Sequence, residues 1–492
     1  MRKRVKGANP YMPLWEHVPD GEPRVFEYNG EKRVYLYGSH DTMKTEYCGP
    51  DQVVWSAPVE DLTNWTCHGV CYTASDGGML YAPDVVQKGD TFYMYVAEAR
   101  GSRILVAKSK NPAGPFTDAV PTELGFDPGI LVDDDGRVYA YWGFCGCACA
   151  ELNDDMATIK PGTLHQNPMG HAKTEWNPDL EYVDFEDGFF EASSPRKING
   201  KYVYIYSKRY NTPVESLGVS GDCNGFLSYK YSDKPLEDFQ PGGDISFNGG
   251  EIIQLEDGSH HMTYQWGNNH GSLMEVNGQW YIFYHRQTGL NEYSRQAMIE
   301  PVDVVLGEDG HLYIGKIQYE ERNGKKVPVS SGVVEMTSQG AQVNGLDAYS
   351  IISAGYACHT YNKAAVFEPG TTDKPYIKPV YEQTEEASSP VVNITNGTTV
   401  GFRYLQFAGQ EKDPKRQAKK VTFVGEAKED LQILVRKTAY TGEIIASMTL
   451  TKGETVKTVD VTGEVKGKEA IYFEFLSESK GEIAQFSEFY FD

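Results

Sequence analysis

The sequence predicts an all-β protein: a five-bladed β-propeller over residues 1–318, a connector over 319–345 and a β-sandwich, jelly-roll-like, over 346–492. Three observations predict it. A turn followed by an aromatic-rich strand recurs five times in the first three hundred residues. Between the recurrences no stretch of length carries the 3.6-residue apolar period of a helix. After residue 346, short alternating runs are separated by glycine-containing turns.

The five recurrences come first. Asn29-Gly30 leads into EKRVYLYGS, and Lys88-Gly89 into DTFYMYVAE. Asp135-Gly136 leads into RVYAYWG, Asn199-Gly200 into KYVYIYS and Asn277-Gly278 into QWYIFYH. Each joins tight-turn residues to large side chains two or three positions apart, which is the pattern of a hairpin. The glycines lie 59, 47, 64 and 78 residues apart. That spacing holds about one four-stranded sheet per repeat, the size of a propeller blade.

Just upstream of each turn stands one ionisable residue: Asp20, Asp84, Asp127, Glu191 and His270. Any one of them alone reads as a turn or cap residue. In a propeller, however, the innermost strands surround a central channel and start at one end of it. Equivalent positions in five blades are therefore expected to converge on one funnel.

Composition limits the ligand. The net charge is -23 and tyrosine is abundant, with 33 copies. Nucleic acid and anionic membranes are repelled by such a chain, so a small neutral oligosaccharide is the expected partner. Oligomeric state is not legible. The basic start MRKRVKG is followed by no apolar run of the secretory type, and no segment is long and apolar enough to span a membrane. A cytoplasmic location with free thiols is the expectation. Cys145, Cys147 and Cys149 in FCGCACAE alternate like residues on one strand face and read as packing rather than as zinc ligands.

Converging carboxylates in a pocket for neutral polar ligands suit glycoside hydrolysis. One carboxylic acid must protonate the leaving oxygen, and one carboxylate must activate water or attack the sugar. The acid must stay protonated near neutral pH, which burial and a neighbouring like charge both favour. Glu191 follows Phe189-Phe190 and Asp127 follows Phe126.

These stretches resemble glycoside hydrolase family 43 over about residues 9–318. The match is carried by NPYMPLWEHVPDGEPRVF, VYLYGSHD, YAPDVV, FDPGILVDDDGRVYAYWG, FFEASSPRKINGKYVYIYS and NNHGSLMEVNGQWYIFYHRQ with SRQAMIEPV. The resemblance implies that Asp20 is the general base, Asp127 the modulator of the proton donor's pKa and orientation, and Glu191 the general acid. It further implies an arginine that holds substrate, matched by Arg295 ahead of Arg286. It implies a single displacement with inversion, and a calcium ion beside His270 on the propeller axis. Asp84 is expected to support the site, and Tyr81 and Phe126 to wall it. Two departures stand out. Asp20 is separated from Pro23 by Gly21-Glu22, which leaves Glu22 as a rival base. Ala192-Ser193-Ser194-Pro195 follows Glu191 where the family often has Gly-Pro.

In the last third, QILVRKT, IIASMTL, TVKTVDVT, AIYFEFLS and AQFSEFYFD read as strands. Their order, with TGEIIASMTL and the closing FSEFYFD, resembles a family 6-like carbohydrate-binding module. All seven tryptophans lie before this region, so sugar binding and packing against the propeller both stay open for it. The whole chain is expected to be an exo-acting glycosidase that releases terminal α-L-arabinofuranosyl residues from arabinoxylan- or arabinan-derived oligosaccharides. The alternatives are a β-D-xylosidase, a bifunctional enzyme, an endo-arabinanase and a non-catalytic sugar-binding propeller.

Overall fold

Five antiparallel sheets follow one another along the chain in the computed structural model, which describes residues 2–42, 45–171, 188–210, 223–365, 373–384, 388–408 and 417–492. Blade I holds Glu22–Tyr28, Glu31–Tyr37, Asp51–Pro58 and Thr66–Thr73. Blade II holds Tyr81–Lys88, Thr91–Glu98, Arg103–Ser109 and Thr117–Pro121. Blade III holds Gly129–Val132, Val138–Gly143, Gly146–Leu152 and His165–His171. Blade IV holds Phe189–Ile198, Lys201–Tyr210, Cys223–Ser232 and Gln240–Phe247. Blade V holds Ser272–Val276, Gln279–Gln287, Arg295–Leu306, Leu312–Arg322 and Lys325–Gly332. Within each blade the strands pair in chain order.

Every predicted turn joins the first two strands of a blade. Asn29-Gly30, Asn199-Gly200 and Asn277-Gly278 have φ of 53 and 80°, 50 and 79°, and 51 and 79°. Two successive left-handed residues match the twist of a two-residue hairpin, and asparagine with glycine adopts them at least cost. The aromatics of the second strands then fill the gaps between blades. Tyr141 of blade III meets Tyr204 of blade IV with ring centres 5.0 Å apart, and Phe26 of blade I meets Phe92 of blade II at 5.0 Å.

The first strands of neighbouring blades lie side by side from V through I, II and III to IV. Blades IV and V close the ring through hydrogen bonds: Ser194 to Ser272 at 2.6 Å, and Arg196 Nε to the Leu273 carbonyl at 2.8 Å. A short hairpin, Ile252–Gln254 with His260–Met262, is inserted between these two blades.

The stretch expected as a connector begins as regular structure. Leu312–Arg322 and Lys325–Gly332 pair from Lys316↔Gly332 to Arg322↔Lys325. Alternating polar and β-branched residues around Asn323-Gly324 form a hairpin, and the polarity of EERNGKKVPVSSG reflects its exposed end. One cysteine differs from expectation. Cys147 and Cys149 share a buried face of Gly146–Leu152, but Cys145 precedes that strand in a left-handed conformation (φ 61°).

The C-terminal part is two facing sheets. One contains Thr398–Gln406, Lys468–Leu476, Leu431–Lys437 and Ile444–Leu450; the other contains Val391–Ile394, Ala484–Phe491, Lys420–Ala427 and Val456–Asp460. Phe402 and Phe473 of the first meet Phe486 and Phe489 of the second, with ring centres 4.6 to 6.1 Å apart. Burying these rings is worth about 1.5–3 kcal/mol each.

Arg286 ties the two parts together. It is fully buried and donates to the Ala357 carbonyl at 2.8 Å, to the Gly355 carbonyl and to Gln296 at 3.0 Å. The N-terminal residues also run along the sandwich: the Val5 N–H donates to the Ile351 carbonyl at 3.0 Å, and Arg4 pairs with Glu488.

Candidate active site

Asp20, Asp127, Glu191, His270 and Arg295 line one cavity of about 1060 Å³ on the propeller axis. Asp20 and Asp127 stand at the entry to the first strands of blades I and III, and His270 at the entry to that of blade V. Glu191 lies in the first strand of blade IV. So four of the five repeat positions converge as expected.

Asp84 does not reach the cavity. It is buried beneath it, where Arg24 grips both its oxygens at 2.7 Å and the Ile130 N–H donates to it at 2.7 Å. The expectation of convergence is corrected here: in blade II the ionisable position holds first strands together. Glu22 also leaves the list of candidate bases. It is buried between Arg196, at 2.6 Å, and Arg24, at 3.2 Å, and does not line the cavity.

The backbone at the acids is unusual. Asp20 and Asp127 are left-handed, with φ of 57 and 50°. Short polar side chains tolerate that conformation best. In blade IV the strand register slips on both sides of Glu191, between Phe189 and Glu191 and between Glu191 and Ser194. Such a bulge re-aims a side chain. The next residue, Ala192, is buried with φ of 68°. A glycine would take this conformation freely; alanine holds it at a cost of about 1–2 kcal/mol. The Ala192 N–H donates to Asp127 at 3.2 Å. Asp127 thereby pins the backbone next to Glu191.

Arg295 lies between two carboxylates. Its Nη1 is 3.0 and 3.2 Å from the two oxygens of Asp20. Its Nε and Nη2 donate to the two oxygens of Asp41 at 2.9 and 2.8 Å, and its backbone N–H adds a third bond at 3.0 Å. The choice between Arg295 and Arg286 follows from strand alternation. Gln287 pairs with Arg295, and Arg286 with Gln296. Gln287 and Arg295 face the cavity, whereas Arg286 reaches the sandwich and Gln296 donates to the Leu14 carbonyl.

The carboxylates are driven apart electrostatically. Burial pushes Asp20 up, but Arg295 and the imidazoles of His285 and His270 outweigh it and hold Asp20 well below the usual carboxylate range. Burial and the charge of Asp20 push Glu191 up to about 8, against Arg295 and Arg209. Burial, with Glu191 and Asp20 beside it, raises Asp127 as well. At neutral pH the pocket thus holds an ionised Asp20 opposite a protonated Glu191. His270 has its Nδ1 3.7 Å from Asp127 and 3.9 Å from Asp20, and burial lowers its pKa to about 4, so it is neutral.

The walls are aromatic. Tyr81 and Phe126 take their expected places, with ring centres 5.9 Å apart. Phe144 and Phe190 extend this wall, Phe144 lying 5.6 Å from Phe126 and 5.2 Å from Phe190. Trp266 and Tyr47 stand elsewhere around the cavity.

Sequence reading missed Asp41, His285, Tyr47, Phe144 and Trp266. Asp41 stands in the quoted YGSHD and His285 in YHRQ, so both were in view. His285 sits two positions before Gln287 on the same strand face, a period-two signal that could have found it. Nothing local marks Asp41, because its partner is 254 positions away.

A propeller that gathers one ionised and one protonated carboxyl group on its axis, beside a fixed arginine and an aromatic wall, is built as a glycoside hydrolase. The chain belongs to glycosyl hydrolases family 43, whose profile matches residues 20–311. A xylosidase/arabinosidase of Thermoclostridium stercorarium is 32% identical over 444 residues, 82% of this chain and 84% of that protein. An arabinoxylan arabinofuranohydrolase of Paenibacillus polymyxa is 25% identical over 521 residues, 96% of this chain and 72% of that protein. Among solved structures, a family 43 arabinoxylan arabinofuranohydrolase from Bacillus subtilis in complex with cellotetraose aligns over 98% of this chain and 97% of its own, with 21% identity and a TM-score of 0.45.

Proposed function

We propose that this glycoside hydrolase is an inverting exo-enzyme that releases terminal α-L-arabinofuranosyl residues from arabinoxylan- or arabinan-derived oligosaccharides. The observation that carries the acid–base reading is the electrostatic split in one pocket, with Asp20 held ionised and Glu191 held protonated up to about 8; inversion is supported by the family to which the chain belongs. The choice of sugar is supported by the relatives, whose names pair arabinosidase with xylosidase activity or specify arabinofuranose release from arabinoxylan. The dual name of the first keeps β-D-xylosidase activity as the second reading.

In the reaction, Asp20 takes a proton from water as the water oxygen bonds to the anomeric carbon. Glu191 gives its proton to the glycosidic oxygen, which leaves as an alcohol. Asp20 ends protonated and Glu191 ionised, and solvent exchanges the proton back. Room for water between base and sugar calls for a carboxyl separation of about 6.5–9.5 Å and gives inversion. Asp127 acts on Glu191 through the Ala192 N–H. Arg295 keeps three bonds to Asp41 while its bond to Asp20 yields to water or a sugar hydroxyl, so its charge is never left unpaired.

Calcium stays part of the proposal only as electrostatic support beside His270. Calcium takes six to eight oxygen ligands. Among the described residues no three His, Cys, Asp or Glu side chains are grouped to hold a metal. One imidazole is a poor fit for it. A cytoplasmic location also belongs to this reading, supported by seven free cysteines among the described residues. So does a carbohydrate-binding-module role for the sandwich, supported by the sequence resemblance of that region.

The test is hydrolysis of 4-nitrophenyl α-L-arabinofuranoside and β-D-xyloside side by side. Faster turnover of the arabinofuranoside is expected, and loss of it in Glu191→Gln. Faster turnover of the xyloside would move the chain to the second reading. No turnover of either would overturn the exo-pentosidase assignment.

A further inference from the structure

Residues 288–294 join Gln287 to Arg295, two side chains of the axial cavity, and form a closed loop. Thr288 and Ser294 staple its base: the Thr288 N–H donates to the Ser294 carbonyl at 3.1 Å, and their hydroxyls lie 2.6 Å apart. Both residues are buried. Glu292, from the same loop, lines the cavity and accepts a hydrogen bond from the Tyr47 hydroxyl. The Arg295 guanidinium lies over the Tyr47 ring, 5.0 Å from its centre. The loop thus bears on Arg295 twice, through the chain and through Tyr47.

The sandwich holds this loop from outside the cavity. Tyr376 and Ile377 form a short edge strand paired with Val391–Ile394. An edge strand carries backbone groups that its sheet does not pair. Here the Ile377 N–H donates to the Thr288 carbonyl at 2.9 Å. The next loop residue, Gly289, has a φ of 95°, and a Cβ there would stand 3.0 Å from the Cβ of Tyr376. Glycine lets the loop and the strand approach this closely with a left-handed backbone.

A second contact reaches the other side of Arg295. The Tyr381 ring stacks on the buried His17, with ring centres 4.8 Å apart and 23° between the planes. The His17 carbonyl accepts the Asp41 N–H at 2.9 Å. Asp41 is the carboxylate that grips Arg295 through Nε, Nη2 and the backbone N–H. Tyr376, Ile377 and Tyr381 do not themselves line the cavity. Any part they take in the reaction passes through the residues they hold.

We propose that residues 376–381 of the sandwich are a positioning element of the active site. The Ile377 N–H seats the loop before Arg295, and the Tyr381 ring seats His17 and with it Asp41, so that the sandwich sets the place of Arg295 and, through it, of Asp20. The effect on rate rests on the glycosidase reading above; the positioning itself does not. A small displacement of a group that orients a catalytic carboxylate costs rate far out of proportion to its cost in stability.

The experiment uses the full chain and 4-nitrophenyl α-L-arabinofuranoside, at a temperature where circular dichroism shows every variant folded. Ile377→Pro removes the N–H and Tyr381→Ala removes the ring, and each should lower kcat/KM about tenfold. Ile377→Val, which keeps the N–H, and Tyr381→Phe, which keeps the ring on His17, should recover the rate. Phe473→Leu, in the opposite sheet of the sandwich, should lower the melting temperature and leave kcat/KM unchanged. In an Arg295→Gln background, Ile377→Pro and Tyr381→Ala should cause no further loss, because substitutions that act through one residue are not additive. Wild-type kinetics in both variants, or the same loss on top of Arg295→Gln, overturns the proposal. A readout that needs no turnover is the Arg295 Nε–H in proton–nitrogen NMR, assigned by its disappearance in Arg295→Lys. Its exchange with water should quicken in Ile377→Pro and Tyr381→Ala but not in Phe473→Leu; unchanged exchange in all three overturns the proposal. Absence of aryl-glycoside turnover in the unmutated protein would instead overturn the enzymatic reading, and the Nε–H exchange would still decide the positioning.

Discussion

Arg295 links Asp20 to Asp41: one guanidinium nitrogen is 3.0 Å from Asp20, while Nε and Nη2 hold both oxygens of Asp41 at 2.9 and 2.8 Å. All three side chains are buried. A rigid planar fork can serve two carboxylates at once, which a lysine cannot. Arg295→Lys is therefore expected to lower kcat/KM by about a hundredfold, close to the effect of Arg295→Gln. Asp41→Asn should cost about tenfold by loosening the arginine. Steady-state kinetics on the aryl arabinofuranoside checks this; a Lys variant with wild-type kinetics would show that the fork is irrelevant.

The same pair sets the acid side of the pH profile. With Arg295 in place, Asp20 stays ionised well below the usual carboxylate range. Removing the positive charge lets burial act unopposed by it. In Arg295→Gln the acid limb of kcat/KM should move up, toward or above pH 4. A limb that stays where the wild type has it would mean that another group controls it.

Glu191 sets the alkaline side. It must carry a proton, and burial with the charge of Asp20 raises it to about 8, so kcat/KM should fall above about that pH. Stability carries the same signature. The native chain keeps this proton between its ordinary value of 4.5 and about 8, while the unfolded chain releases it. Stability from this group therefore falls as pH rises through that window. Glu191→Gln has no proton to lose, so its melting temperature should gain on the wild type between pH 5 and 8.5. A constant difference would contradict the raised pKa.

Asp84 separates support from chemistry. Breaking a buried ion pair by removing one partner costs about 3–5 kcal/mol. Asp84→Ala should lose stability toward that order, because it leaves Arg24 with only the longer contact to Glu22, at 3.2 Å, and leaves the Ile130 N–H without its acceptor. Asp84→Asn, which keeps an acceptor, should lose less and retain turnover once folded. Abolished turnover in a well-folded Asp84→Asn protein would make Asp84 a catalytic residue.

Inversion is read directly from the product. Proton NMR during the first minutes of hydrolysis should show the β-anomer of arabinofuranose from an α-linked substrate. An initial α-anomer would require a covalent intermediate and carboxyls only about 5–5.5 Å apart.

Much of this was legible because it is local. Turn glycines, period-two aromatics and an ionisable residue before each hairpin lie within about ten residues of one another. Short-range sterics and strand alternation enforce them, so the blades and the acids Asp20, Asp127 and Glu191 could be read from the chain. The hairpin inside the expected connector was missed because residues 318–326 are exposed on both faces, so no apolar alternation marks the strands.

What the sequence alone determined is the repeat, and with it the fact that equivalent positions meet on one axis. Tertiary structure decided which of them enter the cavity. Asp84 and Glu22 are carboxylates in the same kind of position as Asp20, yet Arg24 and Arg196 reach them first and bury them in ion pairs. Asp41 acquires meaning only from a partner supplied by a distant part of the chain. Charge pairing and burial are set by which side chains arrive at one point in space, and local sequence does not encode that.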